Sequence, residues 1–145
     1  MANVLTLKID VANRGHFTNT YILYSEKQNA ILIDPAHNPK YILDELNKKG
    51  LTLKYIVITH AHADHIGALE EILKQTKATV YIKTEDKEAL FSRAECYYDL
   101  LGVNRQNISE DRVKLLHDEQ VIALDDISLE VIHTPRTYKG IYLFI

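Results

Sequence analysis

Three histidines and one aspartate crowd into the stretch Thr59-His60-Ala61-His62-Ala63-Asp64-His65-Ile66-Gly67. Imidazole nitrogen combined with carboxylate oxygen is a donor set for a borderline divalent cation. Zn²⁺ suits it best, with Fe²⁺ and Mn²⁺ as alternatives because geometry and availability, as well as affinity, select the metal. Residues two apart in an extended backbone project the same way, so His60 and His62 can aim at one ion. A turn directly after them can present Asp64 and His65 to a second. Ala61 and Ala63 are small enough to let the segment turn tightly and to leave room for a substrate above the ligands. His16, His37 and His117 stand apart from this cluster and read as ordinary solvated histidines.

The elements that must position these groups follow from pattern. Val4 to Ile9 alternates apolar and polar, Thr20 to Tyr24 repeats that alternation, and Ala30 to Ile33 follows a turn-like Glu26-Lys27-Gln28-Asn29, so the chain opens as a strand meander. Pro39 stands where a first helical turn tolerates it, and Ile42, Leu43 and Leu46 recur at helical spacing until Gly50, predicting a helix over about 39–49. Tyr55-Ile56-Val57-Ile58 is short and apolar throughout, as in a strand covered on both faces. The histidines therefore fall on a strand-to-helix loop, because Ala68, Leu69, Ile72 and Leu73 then trace a helical face. Thr79 to Ile82 reads as a strand, Glu85 to Phe91 and Ala94 to Leu101 as helices, and Val113 to Leu116, Val121 to Leu124 and Ile127 to Ile132 as short strands. Strands that alternate with helices and then return to strands predict a mixed α/β (α+β) sandwich in one domain spanning residues 1–145.

Composition narrows the function classes. The 145 residues are 46% apolar with five glycines and three prolines, as in a packed globular chain. A net charge of −3 gives no basic surface for nucleic acid or an anionic membrane, which leaves a small molecule as the expected partner. Cys96 is the one cysteine, so no internal disulfide forms, and a reducing compartment, by default the cytoplasm, is expected. Lys8 and Asp10 interrupt the start of the chain before a signal-peptide core can form, and the apolar runs are strand-sized.

The histidine segment resembles the signature of the metallo-β-lactamase superfamily, and the rest of the chain is most similar to its glyoxalase II-type hydrolases. Gly15 to Tyr21 resembles an early strand of those enzymes, Leu32-Ile33-Asp34-Pro35 their Ile-Asp-Pro-Gly turn with Ala36 in place of glycine, and Leu129 to Pro135 their Val-Ile-His-Thr-Pro strand end. His117-Asp118-Glu119-Gln120 looks like the family's acidic turn, so the similarity runs over about residues 4–135. The resemblance implies the amino-terminal portion of an αββα sandwich. His60 and His62 would then hold a first metal, and Asp64 and His65 a second. It also implies hydrolysis of a thioester or related carbonyl by water that the two cations acidify, with Asp64 orienting that nucleophile or shuttling its proton. Asp34 would lie beneath the loop, either holding a ligand histidine in one tautomer or closing the strand-end turn.

The pattern breaks after His133-Thr134-Pro135. Where the family continues Gly-His-Thr and supplies a third histidine to the first metal, this chain reads Arg136-Thr137-Tyr138, and an arginine there would repel a cation. His133 is the possible substitute. Back-translating 136–145 and reading one base later yields Gly-His-Thr-Lys-Gly-Ser, which predicts a single-base frameshift after Pro135 and an incomplete, truncated domain. Two functions follow: a dinuclear zinc hydrolase, or a catalytically impaired metal-binding fragment. The acidic charge weakens a nucleic-acid-processing role. Half of such a sandwich would leave an inward apolar sheet face open, so self-association through that face is expected.

Overall fold

The structure is a computed structural model that describes residues 3–11, 15–59, 61–92, 106–134 and 140–144. Strand β1 (Asn3–Val11) and β2 (His16–Tyr24) pair antiparallel along their whole lengths, with Gly15 in the left-handed region at φ 75° on the turn between them. Asp10 accepts a hydrogen bond from the Gly15 N–H at 2.7 Å, which ties that turn to the ladder. β2 pairs antiparallel with β3 (Asn29–Ile33), and β3 then runs parallel to β4 (Thr52–Ile58), β4 to β5 (Thr79–Lys83) and β5 to β6 (Val113–Leu116). The six strands lie in chain order in one sheet. A second sheet holds β7 (Val121–Leu124), β8 (Ile127–Thr134) and β9 (Gly140–Phe144), all antiparallel neighbours.

Parallel strands need crossovers, and helices supply them. Helix α1 (Pro39–Lys48) starts as its sequence dictates: Asn38 accepts a hydrogen bond from the Tyr41 N–H, and Pro39 occupies the first turn, where no N–H is needed. It ends at Gly50, whose φ of 64° lets the Gly50 and Leu51 N–H groups satisfy the Asn47 and Leu46 carbonyls. A single helical turn, α2 (Ala63–Ile66), and α3 (Leu69–Gln75) connect β4 to β5, and α4 (Thr84–Ser92) leaves β5. The expected helix over 94–101 lies outside the described residues. Arg112, in a 3-10 turn over Glu110–Arg112, donates to the carbonyls of Leu73, Thr76 and Ala78 and so satisfies the end of α3.

Two cores make the layers. On one face of the large sheet, Leu7, Ile22, Leu32, Ile56 and Val80 pack against Ile42 and Leu46 of α1, Ile66 of α2 and Leu69 and Ile72 of α3. On the other face, Leu23, Ile31, Ile33, Val57 and Leu116 meet Ile122, Leu124, Ile127, Leu129 and Val131 of the second sheet. The order is helices, sheet, sheet, the α+β layering expected of the front of an αββα sandwich. The inward sheet face is not left bare, which corrects that expectation. Alternation in β7 and β8 turns every second apolar residue onto it, and burial of these side chains is worth about 1.5–3 kcal/mol each. The turns of the two sheets are also stitched together: Asp125, at φ 53°, accepts from Ser25 Oγ at 2.5 Å and from Asn29 Nδ2 at 2.9 Å.

Candidate metal centre

Asp34 directly follows β3 and Thr59 directly follows β4. Because these strands are parallel neighbours, with Ile33 beside Val57, both segments emerge together at the carboxyl end of the sheet. Ligand sites in parallel sheets sit at that end. The Asp34 N–H continues the ladder by donating to the Val57 carbonyl at 3.1 Å, and the chain then turns through φ 53° at Asp34, a conformation that aspartate tolerates.

Asp34 is 4% exposed, and its carboxylate is fully engaged. Oδ1 accepts from the Thr59 N–H at 2.8 Å, while Oδ2 accepts from the Thr59 hydroxyl and from His65 Nδ1 at 2.9 Å. Thr20, completely buried on β2, steadies the same turn: its hydroxyl donates to the Asp34 carbonyl at 2.6 Å and accepts from the Ala36 N–H at 3.2 Å. Since a carboxylate can only accept, Nδ1 of His65 must carry the proton. Nε2 is then the nitrogen left for a ligand, and it faces Asp64 Oδ2 at 3.5 Å. The Thr18 hydroxyl on β2 donates to the same Asp64 oxygen at 3.4 Å.

His62, Asp64 and His65 are carried on and beside one helical turn rather than on an open loop. His62 caps α2 with extended backbone, and its carbonyl accepts from the His65 N–H at 2.9 Å. Tertiary contacts hold this short turn. Ile66 and Ala63 are buried without measurable exposure, and the Gly67 and Ala68 N–H groups donate to the carbonyls of Ala36 and Pro35 beside Asp34. His60 lies outside the described residues, as does Arg136, and of His133 only the backbone at the end of β8 is described. Among the described residues no group of three His, Cys, Asp or Glu side chains is assembled as a metal cage. The described part of the cluster is the Asp64–His65 pair with His62 next to it in the chain.

The electrostatics of the two histidines differ. Burial lowers the pKa of His62, and the charge of Asp64 does not fully offset it against burial and the neighbouring His65. Burial also pulls His65 down, but the hydrogen bond and charge of Asp34 and the charge of Asp64 outweigh it, and its pKa is raised. This donor set fits a divalent cation. Burial disfavours the charged form of His62, His65 is fixed by Asp34 with Nε2 facing a carboxylate oxygen, and a histidine oriented by a carboxylate is the usual support of a metal ligand.

Asp34 and Thr20 work at a distance from the histidine cluster in sequence. Asp34 is legible as a residue beneath the loop, whereas Thr18 and Thr20 read only as strand formers. The available signal is that alternate residues of β2 share the face that meets α2.

The chain is a two-sheet sandwich with helices on one side and a histidine–aspartate cluster beyond the carboxyl ends of β3 and β4. The chain belongs to the metallo-beta-lactamase superfamily, whose family model matches residues 13–142, and members of that superfamily are metal-dependent. Hydroxyacylglutathione hydrolase GloC of Haemophilus influenzae is 24% identical over 128 residues, which is 88% of this chain and 60% of that protein. The BLEG-1 B3 metallo-beta-lactamase superposes with a TM-score of 0.77 at 26% identity, covering 94% of this chain and 65% of that one. A protein solved in a di-iron-bound form shares the fold with a TM-score of 0.74 at 23% identity, over 95% of this chain and 66% of its own. This chain therefore spans about three-fifths to two-thirds of the length of these relatives. No helix among the described residues is long and apolar enough to cross a membrane.

Proposed function

We propose that this chain is a metal-dependent hydrolase that cleaves a thioester or a similar small carbonyl compound, with zinc as its metal. In this reading His60 and His62 hold one cation, and Asp64 and His65 hold a second. The observation that carries the reading is the chain of contacts from Asp34 through His65 Nδ1 to Nε2 beside Asp64. A divalent cation held there supplies Lewis acidity, polarising a carbonyl and lowering the pKa of a water. The protein's own groups do the positioning. Asp34 keeps the proton on His65 Nδ1, Thr18 holds Asp64 by Oδ2, and Asp64 is the nearby base that takes up a proton as the nucleophile forms. The hydroxyacylglutathione hydrolase relative supports a thioester as the substrate class. Cys96 as the one cysteine supports placement in a reducing compartment such as the cytoplasm.

The test is thiol release from a hydroxyacylglutathione thioester by the zinc-loaded chain. Release that requires metal and falls at least about 100-fold in Asp64→Asn supports the proposal. A chain that binds zinc but releases no thiol above background refutes it.

A second reading rests on Arg136, which stands where the family pattern places a third histidine ligand. It makes the chain a metal-binding fragment of impaired turnover, with the carboxy-terminal residues read out of frame after Pro135. Comparing its thioesterase activity with that of a chain extended in the shifted frame separates the two readings. A gene with no Gly-His-Thr continuation in the overlapping frame removes the frameshift.

A further inference from the structure

The cleft over Asp64 and His65 is about 370 Å³ and opens along β2 past Phe17, Asn19 and Tyr21. Alternate residues of a strand share a face, so these three form one row leading away from the cluster. Phe17 is 53% exposed, an unusual position for a phenylalanine, and its ring does not hang free. Lys8 Nζ lies 4.6 Å from the ring centroid. The β1–β2 register sets Lys8 opposite Asn19 and Asp10 opposite Phe17, so the ammonium comes from the neighbouring strand diagonally onto the ring. Lys8 is itself exposed and makes no ion pair among the described residues. An apolar surface and a cation thus sit side by side at the mouth of a cleft whose floor, at Asp34 and Asp64, is acidic.

We propose that Lys8 and Phe17 form a shelf for the non-reacting end of the substrate. That end has an aromatic or alkyl body that lies against Phe17 and a carboxylate that meets Lys8, while the carbonyl lies over Asp64 and His65. The shelf thereby selects amphipathic acyl compounds bearing a remote carboxylate over neutral ones. This deepens the hydrolase reading and rests on it for the placement of the carbonyl.

A binding measurement tests the shelf without turnover. The protein is titrated with 3-phenylpropionate and with its neutral amide, followed by NMR, in the wild type and in Lys8→Gln, Lys8→Arg and Phe17→Ala. The wild type should bind the carboxylate more tightly than the amide. Lys8→Gln should weaken the carboxylate about 3- to 10-fold and leave the amide unchanged, Lys8→Arg should restore the preference, and Phe17→Ala should weaken both probes. Circular dichroism of each variant confirms that the exposed substitutions leave the fold intact. Equal binding of the two probes by the wild type, or variants that bind as the wild type does, overturns the shelf. Should the probes behave as expected while no thioester is cleaved, the shelf stands and the hydrolase reading falls. Thioester cleavage by a chain whose probes do not respond overturns the shelf and leaves the hydrolase reading in place.

Discussion

Replacing Asp34 by asparagine separates shape from proton placement. Asparagine has the same outline and tolerates the φ of 53° at this turn, so backbone strain is not introduced. In the wild type Oδ2 accepts from His65 Nδ1 and from the Thr59 hydroxyl, while Oδ1 accepts from the Thr59 N–H. The amide oxygen must keep facing the Thr59 N–H, which cannot turn, so the amide NH₂ points at His65 Nδ1. The Thr59 hydroxyl can rotate and accept. The imidazole can accept only by moving its proton to Nε2, the nitrogen that faces Asp64, and a protonated Nε2 cannot ligate a metal. Metal affinity should therefore fall about 10- to 100-fold, which is about 1.4–2.8 kcal/mol. The fold should lose about 1–2 kcal/mol, because the charge-assisted hydrogen bonds of the buried carboxylate become neutral ones. Isothermal titration with zinc reads the first quantity and urea denaturation of the metal-free chain reads the second. Unchanged zinc affinity in a folded Asp34→Asn variant would refute the proposed role of Asp34.

Thr20→Val conserves volume but removes the buried hydroxyl that joins the Asp34 carbonyl to the Ala36 N–H, and it should cost about 1–3 kcal/mol in a urea melt. The raised pKa of His65 means that its stabilising charge is fully present below its ordinary value near 6.5 and is lost as pH rises through the folded value. Melting temperatures of the metal-free chain should show that decline, and His65→Gln should remove it. Zinc affinity should climb over the same interval, since the ligand must be deprotonated. Hydrogen bonds from Ser25 and Asn29 lower the pKa of Asp125, so its contribution holds above the ordinary carboxylate value and fades as pH falls through the depressed one. A double-mutant cycle of Ser25→Ala with Asp125→Ala should show coupling between the two sheet turns. Self-association is expected from sequence, and among the described residues Val4, Phe17 and Val121 are about half exposed; light scattering that finds only monomer removes it.

Local pattern carries much of this fold. Pro39 and Gly50 bracket α1, and the alternation in Val121–Leu124 and over residues 127–132 matches the faces that β7 and β8 bury. What sequence conceals depends on partners far along the chain. The helical turn at Ala63–Ile66 is too short for periodicity and is held by the 35–36 carbonyls, so it reads as loop. Residues 140–144 carry no helical or capping signal and gain their strand by pairing with 130–134. Thr18 reaches Asp64 across 46 positions, a contact that no local pattern encodes. The cluster itself is visible because its donors sit side by side in sequence, although His62, Asp64 and His65 lie on and beside the α2 turn after β4 rather than on an open loop. The orientation of His65 is not visible, since it depends on Asp34, 31 residues earlier.

Zinc titration of the purified chain, alongside His60→Ala, His62→Ala, Asp64→Ala and His65→Ala, addresses the cluster most directly. Stoichiometric binding by the wild type, with each substitution weakening it about 10-fold or more, is the expected result. A folded wild type that holds no zinc, iron or manganese, or a set of variants that hold metal as well as it does, would contradict the assignment of these four residues as ligands.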